Sequence, residues 1–173
     1  MTVIELPGAA VLLAPIPEGP ESRRERERLA AADALEKLVG RRVEILHTPE
    51  GAPYPADRSF HLSISHSRHV VAVLAGSEPG WGVDIEEERP GQLERVASRV
   101  LNEGESSVCQ GLLQAWTLKE AAFKAAGLPI ADLREIHLHP DGLITARGLR
   151  LATVLSQPVP DHRAWLSVVK LGD

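Results

Sequence analysis

The stretch WGVDIE, residues 81–86, predicts a β-strand whose two faces differ in chemistry. Side chains alternate between the faces of a strand, so Val83 and Ile85 share one face while Asp84 and Glu86 share the other. The apolar pair is expected to lie in the core. Two neighbouring carboxylates repel each other unless a cation joins them, and ligands that are all oxygen suit Mg²⁺ or Mn²⁺. The pattern therefore indicates either a divalent-metal site or an acidic strand end that faces water.

The elements predicted on the two sides of this stretch follow one coarse order. Before it, strands are predicted within 3–16 and over 43–46, 60–66 and 70–75, with a turn-rich loop over 48–58. After it, strands are predicted over 134–139, 143–145, 149–155 and 164–171. Helices are predicted over 22–39, 93–101 and 112–126. This order predicts an α+β protein of two similar α/β lobes, which we place at 1–80 and 81–173 within one compact unit.

For the first helix and for the strand over 60–66, the sequence also predicts which side chains are buried. The first helix is expected to begin after the N-cap Ser22 and to bury Leu29, Ala32 and Leu35, which share one side. The strand over 60–66 alternates apolar and polar residues, which is typical of a half-buried strand.

A second chemical pattern lies on the helix predicted over 112–126. Trp116, Glu120 and Lys124 recur every four residues, so one helical face carries an aromatic ring, an acid and a base. Taken alone, the acid and the base are better explained as an ordinary surface ion pair between residues four apart.

A third pattern, Ser65-His66-Ser67, ends the strand over 60–66 at a turn. Hydroxyl, imidazole and backbone donors at such a position can hold a phosphate. A catalytic Ser-His pair is disfavoured because adjacent residues of a strand point to opposite sides. A zinc site is disfavoured because His61 and His66 also face opposite sides of a straight strand.

Composition narrows the class of protein. With 43 % hydrophobic and 25 % charged residues, the 173-residue chain has the composition of an ordinary globular protein. A formal net charge of −5 argues against a nucleic-acid partner. The single cysteine, Cys109, cannot form an internal disulfide, which favours a reducing compartment. No secretory signal or membrane-length apolar stretch is found, so the sequence predicts a cytoplasmic protein without a membrane partner.

Together the motifs at 65–67, 82–86 (GVDIE) and 116–124 (WTLKEAAFK) resemble, in order and spacing, the 4′-phosphopantetheinyl transferase superfamily. Ser65-His66-Ser67 and the acid at Glu86 are similar to its longer, pseudo-dimeric type, which activates surfactin synthetase and related enzymes. Gly51-Ala52-Pro53-Tyr54 resembles that type's Gly-Lys-Pro-Tyr segment, with Ala52 in place of a lysine that helps to hold coenzyme A. The resemblance spans roughly residues 22–127 and implies a pseudo-twofold fold with coenzyme A in the cleft between the lobes.

The resemblance also implies an activity. The phosphopantetheine group of coenzyme A would move to a serine hydroxyl of an apo acyl or peptidyl carrier protein, and 3′,5′-ADP would leave. The implied metal ligands, for Mg²⁺ or alternatively Mn²⁺, are Asp84, Glu86 and Glu120. The implied catalytic residues are Glu120, as proton acceptor, with Lys124 and Lys119. The implied coenzyme A ligands are Ser65, His66, Lys119, Lys124 and Arg28. We predict a monomer.

Two other functions stay open at this point. A non-catalytic module that binds coenzyme A or a carrier protein is favoured only by the loss of the lysine at Ala52. A metal-dependent phosphohydrolase would use Asp84, Glu86 and His66 and would need no acceptor protein. For carrier docking we consider the segment 89–99, where Arg95 and Arg99 accompany apolar residues, although an ordinary amphipathic helix fits this segment equally well.

Overall fold

The computed structural model describes residues 1–89, 91–127 and 132–172. Residues 90, 128–131 and 173 of the predicted second lobe lie outside the described residues. Within the described ranges, no helix is both long enough and apolar enough to cross a membrane.

The first half of the chain forms a four-stranded sheet, a helix and a separate hairpin. In chain order the elements are β1 (Thr2–Leu6), β2 (Ala9–Pro15), α1 (Arg23–Val39), β3 (Ile45–His47), β4 (Pro53–Pro55), β5 (His61–His66) and β6 (Val70–Gly76). The strand order in this N-terminal sheet is β1-β2-β6-β5, and every neighbouring pair is antiparallel. The Ser22 side chain accepts the Glu25 N–H at the start of α1, and Gly40 ends the helix at φ 73°, as expected for a C-terminal glycine.

The second half forms a five-stranded sheet with its helices inserted after the first strand. The elements are β7 (Trp81–Glu87), α2 (Gln92–Val100), α3 (Glu105–Val108), α4 (Leu112–Ala126), β8 (Ile136–Leu138), β9 (Leu143–Ala146), β10 (Leu149–Val159) and β11 (Ala164–Leu171). The strand order in this C-terminal sheet is β7-β11-β10-β9-β8. Short 3₁₀ helices at Leu133–Glu135 and Pro160–His162 complete the described elements.

Three apolar clusters stack these elements in layers. One cluster lies between the two sheets and joins β2 and β6 to β7 and β11. A second packs α1 on the other face of the N-terminal sheet, and a third packs α4 on the other face of the C-terminal sheet. The layers are therefore helix, sheet, sheet and helix, which confirms the α+β class. The lobe boundary and the symmetry between lobes stay predictions.

The two sheets meet at their edge strands β5 and β7 through side chains rather than through a backbone ladder. Ser63, Ser65 and Ser67 accept hydrogen bonds from the N–H groups of the residues twenty positions later: Val83 (3.1 Å), Ile85 (3.2 Å) and Glu87 (2.9 Å). His61 Nε2 lies 2.8 Å from the Trp81 carbonyl in the same series. We call these four contacts the edge ladder.

Most predicted elements are confirmed, and the differences have physical causes. Helix α4 has the predicted bounds, whereas β4 and α3 were not predicted. Ser63 and Ser65 are buried, so β5 is covered on both faces, because β7 lies against its polar side. Helix α1 buries Ala30, Ala34 and Leu35 instead of a face that contains Leu29, which is 47 % exposed.

Gly82 lets α4 lie directly against β7. A Cβ atom at this position would come within 2.0 Å of the Ala121 carbonyl oxygen and 2.7 Å of the Ala125 nitrogen. Both are backbone atoms, so the whole helix would have to move to accept a larger residue.

Gly82→Ala is therefore expected to lower the free energy of unfolding by about 1–3 kcal/mol through overpacking, as measured by urea denaturation. Gly19→Ala is the control, because a Cβ there first meets the flexible end of the Glu21 side chain. The control should change stability by less than about 0.5 kcal/mol. Equal stability of the two variants would contradict the close approach of α4 to β7.

Candidate active site

Asp84 lies between a serine of β5 and a lysine of α4. Its carboxylate is only 6 % exposed, and Oδ1 accepts hydrogen bonds from Ser65 Oγ at 2.7 Å and from Lys124 Nζ at 2.8 Å. Lys124 also donates to the Val83 carbonyl at 3.0 Å. A buried carboxylate needs such partners, since an isolated charge away from water is costly. Lys124 is thus paired with Asp84 across two elements, and it does not form the surface pair with Glu120 that the sequence left open.

Glu86 lies two residues after Asp84 on β7 and has a separate set of hydrogen-bond and ion-pair partners. Its Oε1 accepts hydrogen bonds from Ser67 Oγ at 2.7 Å and from the Glu87 N–H at 3.1 Å. Arg89 adds an ion pair at 3.1 Å. The prediction that Asp84 and Glu86 leave β7 on one side is consistent with Gly82, whose missing side chain would point at α4.

Glu120 of α4 completes the group of acids. Its pKa is raised, first by burial and next by the nearby Asp84 carboxylate; Lys124 acts in the opposite direction, and Glu86 adds a further upward contribution. Among the described residues, no hydrogen bond to the Glu120 carboxylate is found. The structure therefore places Glu120 within the negative field of both strand carboxylates.

These three carboxylates offer a donor set whose chemistry suits Mg²⁺. All donors are oxygen, and a divalent cation would offset both the burial of Glu120 and its repulsion by Asp84, which together raise its pKa. The type of donor atom fits Mg²⁺, but the positions of the side chains do not form a metal site. In the described ranges, no three His, Cys, Asp or Glu side chains are close enough together to hold a metal ion.

Lys119 lies elsewhere, which corrects the expectation that it is catalytic and binds coenzyme A. Its side chain is fully buried, and Nζ forms an ion pair with Glu105 Oε2 at 2.7 Å. It also donates to the carbonyls of Val100 (2.7 Å) and Ile136 (2.8 Å). Burial lowers the pKa of Lys119, while the Glu105 contact acts in the opposite direction. An ammonium group with all its donors used inside the protein cannot reach a ligand, so Lys119 holds α4 to the segments around α3 and β8.

Ser65 also differs from expectation. Its hydroxyl donates to Asp84 and accepts from the Ile85 N–H, and its side chain is only 7 % exposed. The hydroxyl therefore has no donor left for a coenzyme A phosphate. The next residue, His66, points to the other side of β5, as alternation requires, and is exposed.

His66 and Arg28 lie together in a cleft of about 870 Å³ between α1 and the β3–β4 hairpin. The lining comprises Arg24, Glu27, Arg28, Ala31, Ala32, Arg42, Val43, Glu44, Ile45, His47, Gly51, Pro53, Ile64 and His66. All of these come from residues 24–66, so this cleft lies within the first half of the chain rather than between the two predicted lobes. His66 Nδ1 is 3.5 Å from Glu27 Oε1, and Arg28 pairs with Glu25 at 2.6 Å.

Several residues of the site were not predicted from sequence. Ser67 and Arg89 contact Glu86, and Arg24 and Arg42 line the cleft without an ion-pair partner among the described residues. The spacing of the three serines was the available signal for Ser67, because residues two apart on a strand share a face. No sequence pattern around Arg42 could have indicated its role, because its position in the cleft depends on how the β3–β4 hairpin packs against α1.

Trp116 does not accompany the charged residues of its helix into this site. It lines a small apolar pocket with Leu93 and Val96 of α2. The apolar side of α2 therefore packs on α4, whereas Arg95 and Arg99 are exposed. Carrier docking at this helix stays a prediction.

Comparison with known proteins bears on the second half of the chain. Residues 80–156 match the family model described as the 4′-phosphopantetheinyl transferase superfamily. Curated proteins gave no match. The matched range contains Asp84, Glu86, Glu120 and Lys124, whereas the cleft and the serines of β5 lie before it. The part of the chain that holds all four charged residues of the candidate site is thus similar to the 4′-phosphopantetheinyl transferase superfamily.

Proposed function

We propose that the protein transfers the 4′-phosphopantetheine group of coenzyme A to a serine hydroxyl of an apo carrier protein in a Mg²⁺-dependent reaction. The observation that carries the proposal is the convergence of Asp84, Glu120 and Lys124 from β7 and α4, within the range that matches the superfamily. The packing of one helix on each of two facing sheets supports the longer, pseudo-twofold type.

Asp84, Glu86 and Glu120 are the residues that would hold the metal. Bound Mg²⁺ would supply positive charge to the pyrophosphate of coenzyme A. The remaining contributions come from the chain itself, since phosphoryl transfer mostly requires positioning and stabilisation of developing charge.

In the proposed reaction the carrier serine oxygen forms a bond to the β-phosphorus of coenzyme A. The bond from that phosphorus to the bridging oxygen breaks, and 3′,5′-ADP leaves with the electron pair. The Glu120 carboxylate accepts the serine proton, directly or through water. The absence of a hydrogen-bond partner for this carboxylate among the described residues leaves it available for this role. Lys124, beside Asp84, is placed to neutralise charge on the transferring phosphate.

The cleft between α1 and the β3–β4 hairpin is the proposed site for the nucleotide end of coenzyme A. Gly51 and Pro53, which flank Ala52, line it, whereas Ala52 itself does not. Arg42 lines the same cleft without an ion-pair partner among the described residues. We propose that Arg42, with His66, supplies the phosphate contact that the lysine provides in relatives.

Asp84→Asn should reduce transfer by about a hundred-fold or more, equivalent to about 3 kcal/mol, because the metal loses a charged ligand. The measurement is mass spectrometry of candidate apo carriers incubated with coenzyme A and Mg²⁺. Asp161→Asn, at an exposed aspartate of the second 3₁₀ helix, is the control and should keep full activity. Coenzyme A binding without transfer in the wild type would favour the binding module. Coenzyme A cleavage without an acceptor would favour the phosphohydrolase.

Glu120→Gln should depress kcat severely without abolishing coenzyme A binding, because the amide loses the charge and the basicity. If Glu120 is the base, the wild-type kcat should fall on an acid limb as this carboxylate is protonated, and the limb should be absent in the variant. Steady-state kinetics across pH decides this. An acid limb that survives in Glu120→Gln would move the base to another residue.

Lys124→Ala should lower kcat/KM about ten- to a hundred-fold, because one charge-assisted hydrogen bond contributes about 1.5–3 kcal/mol. Lys37→Ala is the control, since Lys37 forms only an exposed pair with Asp33 on α1 beside the Met1 sulfur. Steady-state kinetics of both variants is the measurement. Unchanged kinetics in Lys124→Ala would show that its contact with Asp84 is purely structural.

Arg42→Ala should raise the KM for coenzyme A about ten-fold, by loss of a phosphate contact, with little change for dephospho-coenzyme A, which lacks the 3′-phosphate. His66→Ala should act in the same direction. The matched control is the neighbouring Arg41→Ala, because Arg41 pairs with Asp57 and Ser59 and does not line the cleft. An equal rise for both coenzymes in Arg42→Ala would place the 3′-phosphate elsewhere.

A further inference from the structure

The three serines of the edge ladder differ in one respect. All three hydroxyls accept a hydrogen bond from an N–H group of β7. Two of them also donate to a carboxylate: Ser65 Oγ donates to Asp84 Oδ1 and Ser67 Oγ donates to Glu86 Oε1, both at 2.7 Å. For Ser63, the contact with the Val83 N–H is the one found among the described residues.

We propose that Ser65 and Ser67 are positioning residues that fix the carboxylates of Asp84 and Glu86 for binding of a divalent cation. This inference rests on the metal site of the proposed function and adds the two serines that would orient its carboxylates. Neither serine touches the reacting groups. Each acts through the one acid that it contacts.

The argument depends on the hydrogen-bonding capacity of a hydroxyl group, which has one donor and two acceptor sites. Because a backbone N–H approaches the serine oxygen, the direction of the hydroxyl proton is restricted, and the carboxylate receives it. One oxygen of each acid is thereby held, and the other oxygen of that carboxylate makes no contact with the serine.

The location of the serines strengthens this assignment. Ser65 is 7 % exposed and Ser67 only 1 % exposed, and both belong to the first half of the chain, whereas the acids belong to the second. Because the two sheets are held together at this edge, the serine positions are fixed relative to β7. Groups that orient metal ligands from outside the ligand set typically change metal affinity ten- to a hundred-fold when removed.

The simpler alternative is that the serines only satisfy the edge N–H groups of β7. Ser63 provides the matched control for that alternative, since it satisfies the Val83 N–H from the same strand and is also buried, at 4 % exposure. A purely structural role predicts similar effects for all three serines. A positioning role predicts that Ser65→Ala and Ser67→Ala weaken binding of the metal ion much more than Ser63→Ala does.

The experiment measures Mn²⁺ binding to the full chain by electron paramagnetic resonance, without coenzyme A or carrier, alongside a thermal melt. Ser65→Ala and Ser67→Ala are each expected to weaken Mn²⁺ binding by about ten-fold or more, and Ser63→Ala by less than about two-fold. All three should lower the melting temperature, and Ser65→Ala and Ser67→Ala should lower it more, because each also removes a hydrogen bond from a carboxylate. Ser65→Thr, which keeps the hydroxyl, should bind Mn²⁺ more tightly than Ser65→Ala.

Equal weakening by all three alanine variants, or no weakening by Ser65→Ala and Ser67→Ala, would overturn the inference while leaving the metal site in place. If Ser65→Ala does not fold, Ser67→Ala against Ser63→Ala decides the question alone, because Glu86 is only half-buried. Failure of the proposed function has a different signature: the wild type and Asp84→Asn would bind Mn²⁺ equally, or neither would bind it. That result would overturn the inference as well.

Discussion

The edge of β7 is the constraint on which the rest of the structure depends. An edge strand presents backbone N–H and C=O groups, and buried ones must find partners. A further strand paired to β7 would have merged the two sheets into one. Ser63 and Ser65 of β5, with Ser67 directly after it, instead supply side-chain acceptors at every second residue, so that two separate sheets face each other and share an apolar core. The acids of β7 consequently lie where elements of both halves of the chain can contact them.

The packing of α4 against β7 depends on the absence of a side chain at Gly82. Because Gly82 allows α4 to touch the backbone of β7, Glu120 and Lys124 are held beside Asp84. Asp84 thus receives a cation from one element and a hydroxyl from another, which offsets the cost of burying its charge. Glu120 has no comparable hydrogen bond in the described part of the chain, and its pKa is raised. Burial is the first cause of this raised pKa and the Asp84 carboxylate the second, so Glu120 is less well compensated inside the protein than Asp84 is.

Sequence periodicity was sufficient for features that depend on one element at a time. Alternation placed Asp84 and Glu86 together, and the spacing of four placed Glu120 and Lys124 together. Sequence patterns failed where the position of a side chain depends on a partner that is distant in the sequence. Lys119 was assigned to the site through the family resemblance, but it is buried and bound to Glu105 and to carbonyls around β8. The inward face of α1 was also misjudged, because small alanines allow close approach to the sheet where Leu29 would not.

The register of β5 keeps two kinds of chemistry apart. Ser65 faces Asp84, and His66, one residue later, faces the cleft that Arg42 lines. A slip of one residue would exchange the two faces and bring the imidazole against the buried acids. Pairing with β6, in which Ser65 lies opposite Ala72 and His66 opposite Val71, opposes such a slip. The serine contacts oppose it again, because each serine is matched to one N–H of β7. The edge ladder therefore both joins the sheets and assigns each side chain of β5 to one of the two sites.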